Sequence, residues 1–149
     1  MDQSRTGAYR VAPFSVPAST GMTLSLDSFL GKVPIVFAFL TDPESDTGSA
    51  LLDVLNERHK DFGSERSQIL AIARITAREA RELTEEGDIT VPVLADADGS
   101  MAAAFGVGRG DRVIIVADRD GEIVQHHVLG DGDDVGDLVG GLLESVHPL

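Results

Sequence analysis

Three carboxylates, Asp42, Glu44 and Asp46, alternate along one short polar segment, TDPESDTG. Carboxylates held that close can split their pKa values and work as acid and base, or can collect a divalent cation. Ser45 and Thr47 add hydroxyls that could donate hydrogen bonds to a substrate, with Glu44 or Asp46 as base or metal ligand. The alternative is a solvated acidic loop in which Asp46, Thr47 or Ser49 caps the helix that follows. What the chain lacks is as informative, because it contains no cysteine. That removes every disulfide, every thiolate nucleophile and every thiolate metal site.

The remaining candidates are weaker. His126 and His127 are adjacent in a strand-like segment, so they point to opposite faces and cannot chelate one metal together. His59 falls on the apolar face of a helical pattern and reads as a packed, hydrogen-bonded histidine. The runs DADG at 96–99 and DGDD at 131–134 lack the further oxygen ligands of a calcium loop and read as turns or helix caps. GVGRG at 106–110 precedes a strand instead of linking strand to helix, so the context of a phosphate loop is missing. Met22 and Met101 are expected in the core. No cofactor and no metal site is expected.

The 149 residues carry 25 acidic against 12 basic side chains, a formal charge of −13 spread along the chain. Such a field disfavours nucleic acid and anionic membranes as partners, and it suits a salt-rich setting in which screening relieves self-repulsion. No apolar run approaches the roughly 20 residues of a membrane span, and the polar start MDQSRTGAYR has no apolar signal region. A cytoplasmic location is expected.

These residues must be positioned by elements that the hydropathy pattern outlines. VAPFSV, punctuated by Pro13 and Pro17, reads as an extended edge, and MTLSL as a short half-buried strand. VPIVFAFL is a continuous apolar strand of the kind a sheet covered on both faces requires. A helix then buries Leu51, Leu52, Leu55, His59 and Phe62. QILAIARI is a second buried strand, and Thr76 with Glu79 forms a capping box for a helix closed by Gly87. TVPVLAD is a third strand, followed by one or two helical turns. RVIIVAD and EIVQHHVL form a hairpin across DRDG, and a last helix buries Val135, Leu138, Val139, Leu142, Leu143 and Val146. The order predicts a mixed central sheet, βαβαβ plus a C-terminal hairpin and helix, with an N-terminal β extension and helices on both faces. One domain is expected over residues 8–147 after a flexible start at 1–7. Ligand sites in parallel βαβ units lie beyond the carboxyl ends of the strands, here the loop from Thr41 to Gly48.

Three segments, APFSVPASTGMTLSLDSFLGKVPIVFAFL, DITVPVLADADGSMAAAFGV and RVIIVADRDGEIVQHHV, together resemble the alkyl hydroperoxide reductase and thiol-specific antioxidant branch of the peroxiredoxins. The resemblance implies a thioredoxin-like three-layer α/β/α fold and an antioxidant, peroxide-reducing oxidoreductase, with dimers common among the relatives. It also implies a motif Pro-x3-Thr-x2-Cys after the first core strand, which here falls on Thr41, Ser45 and Gly48. Aligned instead to the CxxC of thioredoxins, the two cysteine positions hold Glu44 and Thr47. The family's arginine, which steadies the thiolate and orients peroxide, matches Arg112. Arg112 could pair with the acidic loop or bind an anion. The nucleophile is thus missing under either alignment, and a hydroxyl cannot be oxidised and restored as a thiolate can. The expectation is a degenerate site at Thr41, Ser45, Gly48 and Arg112 with no catalytic residue. The chain would then serve as a binding, regulatory or assembly module, as a homodimer or in a mixed oligomer with a cysteine-bearing relative.

Overall fold

A computed structural model describes residues 10–11, 13–40, 42–43, 45–64, 67–108, 111–130 and 134–146, with the side chains of 47, 63, 64, 143, 145 and 146 not described. The expected flexible start at 1–7 lies outside these residues. The elements run β1 (Ser15–Pro17), β2 (Thr23–Ser25), a 3₁₀ turn (Leu26–Ser28), β3 (Ile35–Phe39), α1 (Asp46–Ser64), β4 (Gln68–Ala73), α2 (Ala77–Gly87), β5 (Val93–Ala95), α3 (Ser100–Ala104), β6 (Arg112–Ala117), β7 (Ile123–Leu129) and α4 (Val135–Val146). The main sheet has the order β5-β4-β3-β6-β7. β3, β4 and β5 are parallel, while β6 and β7 run antiparallel to their neighbours. The mixed sheet expected of a thioredoxin-like fold is therefore present.

Every residue of β3 and β6 is buried, which explains why both read as unbroken apolar runs. Alternation along the strands divides the core into two layers. Val36, Ala38, Ile114 and Val116 face α1, α2 and α4, where Leu51, Leu55, Ala80, Val139 and Leu142 fill the layer. Phe37, Phe39, Val113 and Ile115 face the other way, onto Val16, Leu26, Met101 and Val107. That second face is covered by the small β1–β2 ribbon, the 3₁₀ turn and the five-residue α3. Phe105 seals it by packing its ring against both Phe37 and Phe39, at centroid separations of 4.9 and 5.3 Å.

The local signals hold with two shifts. Thr76 and Glu79 form the capping box, but the helix runs through Gly87 and it is Asp88 that takes the left-handed turn (φ 53°) and donates to the Thr84 carbonyl. Asp tolerates that conformation through its short polar side chain. Met22 is 67% exposed at the tip of the ribbon, not in the core, whereas Met101 is buried. A ribbon tip alternates too briefly for its apolar residue to reach a covering layer.

Candidate functional site

The loop after β3 closes on itself. The Asp42 carbonyl accepts from both the Ser45 N–H (3.2 Å) and the Ser45 hydroxyl (2.7 Å), and the Ser45 Oγ accepts the Gly48 N–H at 3.1 Å. Ser45 is therefore the cap of α1, one residue ahead of the expected Asp46, Thr47 and Ser49. Its hydroxyl both donates and accepts within the loop, and the amide it engages is one that a helix N-terminus would otherwise offer to an anion. Thr41 and Glu44 lie outside the described residues, as does the Thr47 side chain. Asp42 and Asp46 are exposed.

Gly48, where the motif would place the cysteine, is buried, and the Asp42 carbonyl oxygen occupies the place a Cβ would take. Glycine is needed here for space. Any larger side chain must push the Asp42 peptide away and break the loop's hydrogen bonds. The Ser45 Oγ lies 3.0 Å from the same point, so a thiol has no free volume on that side either.

Arg112 opens β6 opposite the carboxyl end of β3, and its parity with Ile114 and Val116 points it to the α1 side of the sheet. It is 6% exposed, and its guanidinium donates to the Gly130 carbonyl at 2.9 Å. At least part of its hydrogen-bonding capacity is thus spent on joining β6 to the chain beyond β7.

The other sequence candidates are absorbed by structure. His59 is half-buried with Nδ1 3.3 Å from the Thr90 hydroxyl, and burial lowers its pKa below 6.5. His126 is exposed, while His127 meets the Gln125 Oε1 at 2.8 Å along the same strand. Both oxygens of buried Asp96 accept backbone N–H groups, from Met101 and Ala102, so the DADG run starts α3. Asp98 accepts the Ser100 N–H, and Ser100, with a smaller contribution from Arg74, holds the Asp98 carboxyl below its ordinary range. Asp134 accepts the Asp137 N–H at the start of α4, while 131–133 lie outside the described residues. Among the described residues no group of three or more metal-ligating side chains converges.

An opening that the sequence did not single out lies on the opposite face from Arg112. It is a cavity of about 420 Å³ at the carboxyl ends of β3, β4 and β5. Its walls are Phe39, Ile72, Ala102, Ala103 and Val107, and Arg74, Asp42 and Asp111 stand among its lining. The strand-end rule pointed to this end of the sheet, but Arg74 carried no motif that would single it out. A smaller space of about 250 Å³ on the α2 side is bordered by Asp42, Pro43 and the acids Glu79, Glu82 and Glu86.

Residues 8–126 match the family model described as AhpC/TSA. Two sequences named as peroxiredoxins, from Mycobacterium tuberculosis strains H37Rv and CDC 1551, are each 31% identical over 102 residues. That match covers 67% of this chain and 65% of the relative, so the chain spans just under two thirds of the curated relatives' length. Among solved structures, peroxidoxin BcpB of M. tuberculosis is similar with a TM-score of 0.82 at 23% identity, over 95% of this chain and 96% of the other. The reduced 2-Cys peroxiredoxin of Plasmodium vivax also gives 0.82, at 14% identity over 93% and 94%. AhpC of Enterococcus faecalis gives 0.80, at 20% identity over 91% and 89%. At these identities the solved structures speak to fold alone.

Proposed function

The chain belongs to the AhpC/TSA family, and from that premise we propose that it is a peroxiredoxin-like protein without peroxidase chemistry, kept as a binding, regulatory or assembly module. One observation carries the reading: the chain has no cysteine, and the position where the family's motif would place one is a buried glycine with no room for a side chain. Peroxide reduction needs a group that attacks as an anion at neutral pH, is oxidised and is then restored by a donor. The hydroxyl at the family's threonine position, Ser45, is a helix cap. The family's antioxidant activity, the alternative reading, would need a different nucleophile. An enzyme of changed chemistry built on Arg112 and the acidic loop draws no support from the described residues, where Asp42 and Asp46 are exposed and Arg112 is buried with a hydrogen bond to Gly130, Glu44 lying outside them.

Assembly is the role the sheet edge favours. β7 ends the strand order, with a bridge from Arg10 to Glu122 just ahead of it, and Val124 and Val128 are exposed on one of its faces, the latter by 61%. An edge of this kind is a template for pairing with another chain, whether a second copy or a cysteine-bearing relative. The test is a steady-state peroxide assay with dithiothreitol and with a thioredoxin system as donors, run beside native mass spectrometry of the chain alone and mixed with an active family member. The reading predicts no turnover above the donor blank and a homo- or hetero-oligomer. Donor-dependent turnover by the natural chain would overturn it.

A further inference from the structure

The cavity on the α3 side is placed by the fold and not by the family's motif. β3, β4 and β5 are parallel, and the residues that leave their carboxyl ends surround one space. Phe39 and Ile72 belong to the layer beneath the ribbon and α3, as does Val107, so the lining they contribute is apolar. Its volume of about 420 Å³ falls within the range of small-molecule sites.

Two glycines in its lining have charged side chains seated against them. Gly99, at φ +75°, has no Cβ where the Arg74 guanidinium lies: Cζ and Nη1 are 3.0 Å from the point a Cβ would occupy. Gly108 leaves the same kind of room for Asp111, whose Oδ2 is 2.6 Å from the corresponding point. Among the described residues neither Arg74 nor Asp111 enters an ion pair, although Arg74 also acts electrostatically on the Asp98 carboxylate from beyond ion-pair distance. A cation and an anion thus flank an apolar floor without neutralising each other. A simple organic anion would meet Asp42, Asp111 and the chain's net charge of −13, and a simple amine would meet Arg74.

We propose that this cavity binds an apolar α-amino acid, with its carboxylate on Arg74, its ammonium on Asp111 and its side chain over Phe39, Ile72 and Val107. This gives the binding-module reading a ligand class and rests on it. The bidentate reach of Arg for a carboxylate makes Arg74 the orienting contact.

The experiment titrates the intact chain with L-phenylalanine while following backbone amide NMR shifts, in parallel with phenethylamine, which lacks the carboxylate, and 3-phenylpropionate, which lacks the ammonium. Saturable shifts at Phe39, Ala73 and Val107 are expected, with each analogue about ten-fold weaker for the lost charged contact. Arg74→Gln should weaken phenylalanine about ten-fold without weakening phenethylamine, and Ala103→Trp, at an exposed position of the lining, should abolish binding by filling the cavity while the amide spectrum stays folded. No saturable shift with either phenylalanine or leucine at millimolar concentration overturns the proposal, as does phenethylamine binding as tightly as phenylalanine. The peroxide assay decides the module reading separately, so a ligand class that fails here is told apart from a module reading that fails there.

Discussion

If the resemblance places the family's cysteine at position 48, what stands there instead is a buried glycine with no space beside it. Putting the thiol back should not restore activity. Gly48→Cys forces the Asp42 carbonyl out of its place and should cost about 1–3 kcal/mol, read by chemical denaturation, from overpacking a closed loop. Oxidation should instead follow exposure. Peroxide adds oxygen to the Met22 thioether, 67% exposed, well before it reaches Met101 at 3%, and peptide mass mapping of a time course should show that order. The missing cysteine was legible in the sequence, while the alignment of Thr41, Ser45, Gly48 and Arg112 to the family's motif rests on the resemblance alone. The closure of the loop was not legible, because it depends on the Asp42 carbonyl, a backbone group that no residue pattern encodes. Ser45 as cap, in place of Asp46, Thr47 or Ser49, was missed for a related reason: several capping residues in a row leave the start of a helix ambiguous by a residue or two.

At the scale of elements, α1 is tied to the chain between α2 and β5 through one amide. The Asn56 Oδ1 accepts the Thr90 N–H (2.7 Å), the Thr90 hydroxyl (3.2 Å) and the Val91 N–H (3.3 Å), and its Nδ2 donates to the Asp88 carbonyl. Asn56→Ala should cost about 1–3 kcal/mol, because it strands the partly buried Val91 amide along with its neighbours. His59 sits one turn on, against the same Thr90. Its pKa is lowered in the folded chain by burial, so the unfolded chain binds the proton more readily. Its contribution to stability is therefore complete above about pH 6.5 and is lost as pH falls from there towards the folded pKa. NMR titration of the ring should give a midpoint below 6.5, and His59→Gln should flatten this part of the stability-against-pH curve. The strands and the capping box were readable because apolar runs and Thr-x-x-Glu act locally. The Asn56 network was not, since its partners lie 32 to 35 residues away.

For the whole molecule, the balance of 25 acids against 12 bases sets how the fold responds to salt. Self-repulsion at −13 is screened as ionic strength rises, so the melting temperature should climb between dilute buffer and molar salt, beyond what one exposed i,i+4 pair such as Arg78–Glu82 could offset. A melting temperature that is flat or falls with salt would remove the argument for a salt-adapted protein. That the sheet is mixed, with VPIVFAFL covered on both faces, followed from the hydropathy pattern, whereas the strand order and the cavity at the strand ends did not, because both depend on how distant segments meet. The claim on which the account turns is that fold and chemistry have parted in this chain. The most direct measurement is the rate of peroxide consumption by the natural chain and by Gly48→Cys, at low and multimolar salt with a thiol donor present. Both should match the donor blank. Turnover by the natural chain would contradict the loss of chemistry, and turnover gained only by the variant would contradict the closed loop.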